Sequence, residues 1–375
     1  MDCFLLTDVD YETFRNDLNL KVGNQRVPLM ASVEATMGCN LRCKHCYVPI
    51  AQRVGLTDKE LSVAEFERIF DEFVEEGVLW LLLTGGEPFE RPDFLQIYDA
   101  AKRRGFILSL FTNGTHLTEE IVDHLAEWRP FEIEITLYGA TEETYERITG
   151  VPGSYAQCMR GINLVLDRNL HLKLKTVLMT LNQHELEQMK QFSANLGVDF
   201  RYDAVINPGV DGSLRPLQYQ IPVRRILELE SQDPKLANAW RSDLKSKYSA
   251  PFDRSKKYIC AAGLGGFHMD AYGRVSLCMT ARRPFFDLRK GNFKECWGEF
   301  LPKAREGELS PDDECRKCQL RSICGQCPGM SMNQFGCEGT IVPLLCDLAH
   351  LRYNWYDIQQ NEIPFFTGKR DNNYE

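Results

Sequence analysis

The 375-residue chain has no run of about 20 apolar residues, the length a bilayer-spanning helix needs, so no membrane span is expected. It also lacks a basic excess: 44 Lys and Arg face 53 Asp and Glu, a net charge of −9. On bulk electrostatics that excludes a nucleic-acid partner. The N-terminus, MDCFLLTDVDYETF, carries acids where a secretory signal has a basic segment, so the expected compartment is the cytoplasm. No solenoid-type repeat and no low-complexity tract occurs. The basic stretch 241–257 reads as a solvated helix face and linker.

Cysteine, by contrast, is abundant, at fourteen residues. A reducing compartment disfavours disulfides, and ten of the fourteen form two sets, three at 39–46 and, leaving Cys296 and Cys337 aside, seven at 260–346. Clustering of that kind points to metal.

From about residue 29 to 207 short apolar runs alternate with amphipathic segments. The runs are LMASVEAT (29–36), VLWLLLTG (78–85), FILSLFTN (106–113), FEIEITL (131–137), LKLKTVLM (172–179) and DFRYDAVI (199–206). Helical patterns such as 62–77 and 184–197 lie between them and end in Gly, a C-terminal stop signal. Strand–helix alternation over this length implies βαβ units and a parallel sheet. Six repeats suit a partial barrel or an open doubly wound sheet, and periodicity does not choose. The segment 222–250 reads as one or two helices, and from 258 the texture turns to short segments, Gly and Cys, as in a small metal-stapled domain.

Cys39-Asn-Leu-Arg-Cys43-Lys-His-Cys46 has the spacing C-x3-C-x2-C directly after the first predicted strand. Three thiolates on one loop can hold three irons of a cubane and leave the fourth open; a structural zinc site would use four ligands. Thr84-Gly85-Gly86-Glu87-Pro88 follows the second strand, and Thr112-Asn113-Gly114 ends the third. In these motifs the chain resembles the radical S-adenosylmethionine (SAM) superfamily over about residues 30–207. The resemblance implies a partial (β/α)6 TIM-type barrel, with SAM chelating the open iron of a [4Fe–4S] cluster and being cleaved there to a 5′-deoxyadenosyl radical. It further implies that Gly85, Gly86 and Glu87 hold the SAM amino group and that Asn113 lies beside the adenosine. Thr136 takes the place of a SAM-contacting Ser, Tyr47 packs near the adenine, and Arg147 and Asn182 stand on the SAM side.

The second set runs Cys260-x12-Gly273-x4-Cys278, then Cys315-x2-Cys318-x5-Cys324-x2-Cys327, then Cys346. It resembles the SPASM domain of peptide-modifying radical SAM enzymes, which implies two auxiliary [4Fe–4S] clusters. One would use Cys315, Cys318, Cys324 and Cys346; the other would use Cys260, Cys278 and Cys327. The central group departs from the pattern by having two rather than three residues before Cys327. Seven cysteines fall one short of eight, so one iron is open or a spare thiol, Cys337 or Cys296, completes the set. Cys3 and Cys158 read as buried apolar residues. A zinc domain is the alternative for this set.

The expected organisation is therefore an N-terminal extension (1–28), a radical SAM partial barrel (29–215), a helical linker (216–257), a SPASM domain (258–350) and a tail (351–375). The expected function is modification of a ribosomally made precursor peptide by crosslinking or other C–H functionalisation. The resemblance also implies a separate leader-recognition protein, because about 28 residues precede the first strand, and an electron donor such as flavodoxin or ferredoxin. Met279 stands where sulfatase-oxidising relatives have a basic Asp, which argues against that reaction. No catalytic acid or base is assigned. The alternatives are a SPASM-type enzyme acting on a non-peptide such as a haem precursor, and a non-catalytic iron–sulfur or zinc scaffold.

Overall fold

The structure, a computed structural model, describes residues 11–22, 25–49 and 60–356. Cys3 and the greater part of the expected tail lie outside the described residues. Helix α1 (Tyr11–Val22) sets its aromatic rings against the N-terminal ends of the strands, Tyr11 to Phe131 at 4.5 Å and Phe14 to Trp80 at 6.3 Å. Six parallel strands follow: β1 (Met30–Glu34), β2 (Trp80–Thr84), β3 (Ile107–Thr112), β4 (Glu132–Thr136), β5 (Leu172–Val177) and β6 (Asp199–Asp203). Each lies inside the apolar run that predicted it. They sit side by side in chain order. A doubly wound sheet reverses its order at a switch point. Crossovers of one hand with no reversal keep every helix on one face, so the sheet is the wall of a partial barrel.

The helices on that face are α2 (Val63–Glu75), α3 (Phe94–Arg103), α4 (Glu119–Glu127), α5 (Glu142–Thr149), α6 (Ser154–Asp167) and α7 (Leu186–Asn195). Helix α2 shows how the sequence directs this. Ser62 and Glu65 form a reciprocal capping box, and Phe66, Ile69, Phe70 and Phe73 recur at helical spacing on one buried face. That face packs in one core with Val33, Leu83, Leu110, Ile135 and Leu174 from alternate positions of the strands. The intervening strand positions, among them Glu34, Glu134 and Lys175, face the barrel interior.

The sheet does not end with the barrel. Strand β7 (Gly266–Met269) pairs in parallel with β1, and β8 (Arg274–Ser276) and β9 (Phe286–Asp287) add antiparallel beyond it. Phe73 meets Phe267 at 5.0 Å and Phe293 at 4.6 Å, so residues 266–301 share the barrel's core rather than building their own. The stretch 222–250 forms two helices, α8 (Val223–Gln232) and α9 (Pro234–Ser249). They pack against the last helix, Pro343–Trp355, through the Arg352–Glu230 ion pair and the Arg352 guanidinium 3.7 Å from the Trp240 ring centre. Among the described residues beyond 310, Leu348 joins the main core and the others form small apolar groups, such as Met330 with Val342, Leu344 and Leu345.

Candidate active site

The loop that leaves β1 is fixed along its length by backbone hydrogen bonds. Gly86 N–H donates to Thr36 O (2.9 Å) and Glu87 N–H to Gly38 O (2.7 Å). Farther on, Arg42 N–H and Lys44 N–H donate to Thr149 O and Ile148 O at the end of α5 (2.8 and 3.1 Å). The Glu60 carboxylate, its pKa raised by burial, accepts from Thr36 Oγ1 (3.0 Å) and Met37 N–H (2.8 Å). Between these anchors lie Cys39, Cys43 and Cys46. All three act on the Tyr138 phenol, whose pKa burial pushes well up with a further rise from the thiols, and Cys43 is hydrogen-bonded to it. The His45 ring lies 5.1 Å from that of Tyr138.

Gly85 and Gly86 are required by this packing. A Cβ on Gly85 would stand 2.4 Å from Thr36 O, and one on Gly86 2.1 Å from Gly38 O. The close neighbour that the glycines admit is thus the cysteine loop's own backbone. Glu87 is fully buried, which raises its pKa. Its Oε1 accepts from Thr112 Oγ1 (2.7 Å) and Phe89 N–H (3.2 Å), and its Oε2 from Asn113 N–H (2.7 Å). A carboxylate offers about four acceptor sites, so Glu87 ties the ends of β2 and β3 together and keeps one site for a further donor. Asn113 Nδ2 donates to Asn40 Oδ1 (2.9 Å), Asn40 Nδ2 donates to Thr115 Oγ1 (2.8 Å), and Thr115 Oγ1 donates to Asn113 Oδ1 (2.6 Å). This triangle joins the cysteine loop to the turn after β3. Asn40, Glu60 and Thr115 were not singled out from the sequence, where only the position of Asn40 inside the cysteine motif could have marked it.

Thr136 is half-buried at the end of β4, opposite Lys175 in register. Arg147 is exposed on α5 and donates to Leu181 O (2.8 Å). Asn182 is buried and folds the loop after β5, accepting from Met179 N–H (2.8 Å) and donating to Tyr138 O (3.0 Å). Tyr47 turns towards the far side of the loop, packing with Tyr272 and Ala271 and lying 5.7 Å from the Arg282 guanidinium. Arg282 grips the fully buried Glu34 with both nitrogens (2.5 and 2.9 Å) and donates Nε–H to Met279 O (2.9 Å). Burial alone would raise the Glu34 pKa, but Arg282 and then His268 hold it down at about 2.

The C-terminal cysteines fall into two groups of electrostatic neighbours. Cys260, Cys278 and Cys327 act electrostatically on one another, and Cys315, Cys318 and Cys324 each feel Cys346. Burial pushes the Cys315 thiol up to about 11 and that of Cys324 up to about 12. Opposing that rise is Arg321, 3% exposed, whose Nε has no hydrogen-bond partner. Cys296 is buried in the main core beside Arg26 and Trp297, away from the first set. Cys337 is exposed, its thiol lowered by hydrogen bonds from Gly339 and Thr340. Cys158 is buried beside Tyr145.

None of the described cysteines forms a disulfide. Among the described residues no three His, Cys, Asp or Glu side chains are grouped to hold a single metal ion. Soft thiolates alone, three on one loop with a fourth position vacant, fit an iron–sulfur cubane. The buried, unsatisfied Arg321 nitrogen fits a second group of negative charge. No helix among the described residues is long and apolar enough to cross a membrane.

The comparisons agree with this chemistry. The sequence profile of the radical SAM superfamily matches residues 33–193. Mycofactocin maturase MftC of Mycobacterium tuberculosis is 30% identical over 325 residues, covering 83% of this chain and 78% of that one. PqqA peptide cyclase of Rhizobium meliloti is 27% identical, with 79% and 80% covered. AdoMet-dependent heme synthase of Methanosarcina barkeri is 25% identical, with 80% and 91% covered. Among solved structures, Streptococcus suis SuiB bound to precursor peptide SuiA superposes with a TM-score of 0.66 at 16% identity, covering 92% of this chain and 83% of that one. A cysteine loop clamped onto a G-G-E-P turn at the mouth of a six-stranded partial barrel, in a sequence with these relatives, has one meaning: the chain belongs to the radical SAM superfamily, whose enzymes work with SAM and a [4Fe–4S] cluster.

Proposed function

We propose that this enzyme modifies a ribosomally made peptide by C–H functionalisation, with two auxiliary [4Fe–4S] clusters assisting. The observation that carries the reading is the division of the seven C-terminal cysteines into two groups of electrostatic neighbours, with Cys278 of one group just after a strand of the sheet that bears the SAM loop. Relatives named as a peptide cyclase and a maturase support it. When bound, SAM and its cluster supply a radical able to take hydrogen from an unactivated carbon.

The chain's own residues do the rest. Cys39, Cys43 and Cys46 would hold the SAM-binding cluster, and Tyr138 donates towards Cys43. Gly85, Gly86 and the remaining acceptor site of Glu87 receive the SAM ammonium. Asn113 and Thr136 line the nucleoside side, while Arg147 and Tyr47 stand behind the loops that carry them. Cys315, Cys318, Cys324 and Cys346 hold one auxiliary cluster, with Arg321 compensating its charge. Cys260, Cys278 and Cys327 would hold the other through three thiolates, the eighth ligand being substrate, water or a spare thiol such as Cys337 or Cys296. The barrel spans 29–215 and the auxiliary region 258–350. The reductant is a flavodoxin or ferredoxin.

The test is iron, sulfide and zinc per chain on protein prepared without oxygen, beside 5′-deoxyadenosine released on reduction with SAM. Three cubanes give about twelve irons, falling to about eight, with no 5′-deoxyadenosine, in Cys39/Cys43/Cys46→Ala. About four irons with one or two zincs would remove the auxiliary clusters and with them this reading. The haem-synthase relative favours a second reading, a haem precursor as substrate; tetrapyrrole co-purifying with the protein would select it.

A further inference from the structure

One guanidinium touches both cysteine regions. Arg282 donates through Nη1 and Nη2 to Glu34 (2.9 and 2.5 Å) and through Nε to Met279 O (2.9 Å), and it lies 5.7 Å from the centre of the Tyr47 ring. Glu34 ends β1 and leads into the loop 39–46, Tyr47 follows Cys46, and Met279 follows Cys278. The turn after Cys278 is closed by Ala281 N–H donating to Cys278 Sγ (3.3 Å). Its other side rests on the helix Pro328–Phe335, which Cys327 caps. Asn333 Nδ2 donates to Thr280 O (3.0 Å), and a Cβ on Gly329 would stand 2.7 Å from Ala281 N. The charges around Arg282 are matched. The Glu34 side chain is 1% exposed and that of Arg282 15%, and His268 of β7 stands 3.7 Å from Glu34 Oε2. The Asp270 carboxylate, on the turn after β7, is taken up by Tyr272 N–H and Arg274 N–H (2.9 and 3.0 Å). The consequence of the pair is therefore mechanical.

We propose that Arg282 is a positioning residue for the auxiliary site: it locks the turn that carries Cys278 onto the end of β1, and so fixes where a cluster on Cys260, Cys278 and Cys327 stands relative to the SAM cluster. The inference rests on the reading that those three cysteines hold a cluster. A planar guanidinium can give two N–H groups to one carboxylate and keep the Nε–H for a carbonyl in a third direction. Lysine keeps the charge beside Glu34 but, as a point charge on a flexible stem, does not hold Met279 O in that fixed geometry as well. The SAM loop does not depend on this contact. Its own anchors are Gly86 N–H to Thr36 O, Glu87 N–H to Gly38 O, and Arg42 and Lys44 N–H to the end of α5. Loss of the guanidinium therefore separates the two sites: SAM binding persists, while the auxiliary cluster loses its fixed place. A residue that served only to stabilise the fold would weaken both together.

The test is EPR power saturation on the iron-loaded full chain, prepared without oxygen and reduced. A paramagnetic cluster held close by speeds the relaxation of its neighbour, so the half-saturation power of the SAM-cluster signal reports their separation. That signal is identified by its shift on adding SAM and its loss in Cys39/Cys43/Cys46→Ala, and Cys260/Cys278/Cys327→Ala gives the value without the neighbour. Arg282→Lys should keep about twelve irons, wild-type SAM affinity and wild-type release of 5′-deoxyadenosine, while its half-saturation power falls to that of Cys260/Cys278/Cys327→Ala. Should Arg282→Lys not fold, Glu34→Leu/Arg282→Met must give the same fall, since apolar residues of similar volume often replace a buried pair without loss of stability. An unchanged half-saturation power at full iron content overturns the proposal, as does a parallel loss of SAM affinity. Failure of the auxiliary-cluster reading shows separately: the wild type then has about four irons and relaxes as Cys260/Cys278/Cys327→Ala does, and the proposal falls with it.

Discussion

Replacing Gly86 with Ala tests whether the G-G-E-P turn acts through the cysteine loop. The added Cβ would stand 2.1 Å from Gly38 O, 2.6 Å from Met37 O and 2.7 Å from the Gly38 carbonyl carbon. These are backbone atoms immediately before Cys39, so no side chain can swing aside. Overpacking a well-filled site costs about 1–3 kcal/mol, and a clash with backbone belongs at the upper end. The shift also weakens Glu87 N–H to Gly38 O, a net contribution of roughly 1 kcal/mol. Gly298→Ala is the control, since no atom lies within 4 Å of its Cβ position and its φ is not positive. It should be neutral or slightly stabilising, by up to about 1 kcal/mol. Denaturant unfolding gives the cost, and iron after anaerobic reconstitution shows where the strain falls. We expect Gly86→Ala to lose about 2–3 kcal/mol and to bind SAM more weakly, with the C-terminal irons retained. Wild-type stability and SAM affinity in Gly86→Ala would refute the argument.

If Cys315, Cys318, Cys324 and Cys346 hold a cluster as proposed, Arg321→Gln should lower its reduction potential, because a neighbouring cation favours the more negative reduced state; an EPR-monitored redox titration reads it. Cys296→Ser and Cys158→Ala should keep the full iron content of the wild type, and loss of iron in either would make that cysteine a ligand. Arg282→Met leaves Glu34 buried without its partner, costing about 3–5 kcal/mol at pH 7. Glu34 titrates at about 2 in the folded wild type and near 4.3 unfolded, so its stabilisation is complete above about pH 4.3 and is lost as pH falls towards 2. The gap between wild type and variant in thermal melts should close across that window.

The six barrel strands were readable because each is an apolar run with turn residues at both ends, and the cysteine loop because its spacing is local. Strand β7 was not readable. It is four residues long, within a Gly- and Cys-rich stretch, and its pairing with β1 joins positions more than 200 residues apart. The same distance hid Arg282, which meets Glu34 across 248 residues. Glu87 was legible as a site residue but not as the strut between Thr112 and Asn113, because hydrogen-bond partners on a neighbouring strand leave no spacing signal. Gly85 and Gly86 called for a close backbone approach, and only the fold showed that Thr36–Gly38 is what approaches.

Because β7 is a strand of the barrel's own sheet, the segment that leads to Cys278 is tied to the barrel. Cys278 follows β8, and Cys46 lies on the loop after β1, so on the proposed reading both clusters would stand on loops anchored to one hydrogen-bonded sheet. Electron tunnelling between them would then run at one distance in every turnover, with no hinge to gate it. On the same reading, loss of the cluster that Cys278 would serve would loosen β8 and β7, and through them β1, so damage by oxygen at one end would reach the chemistry at the other.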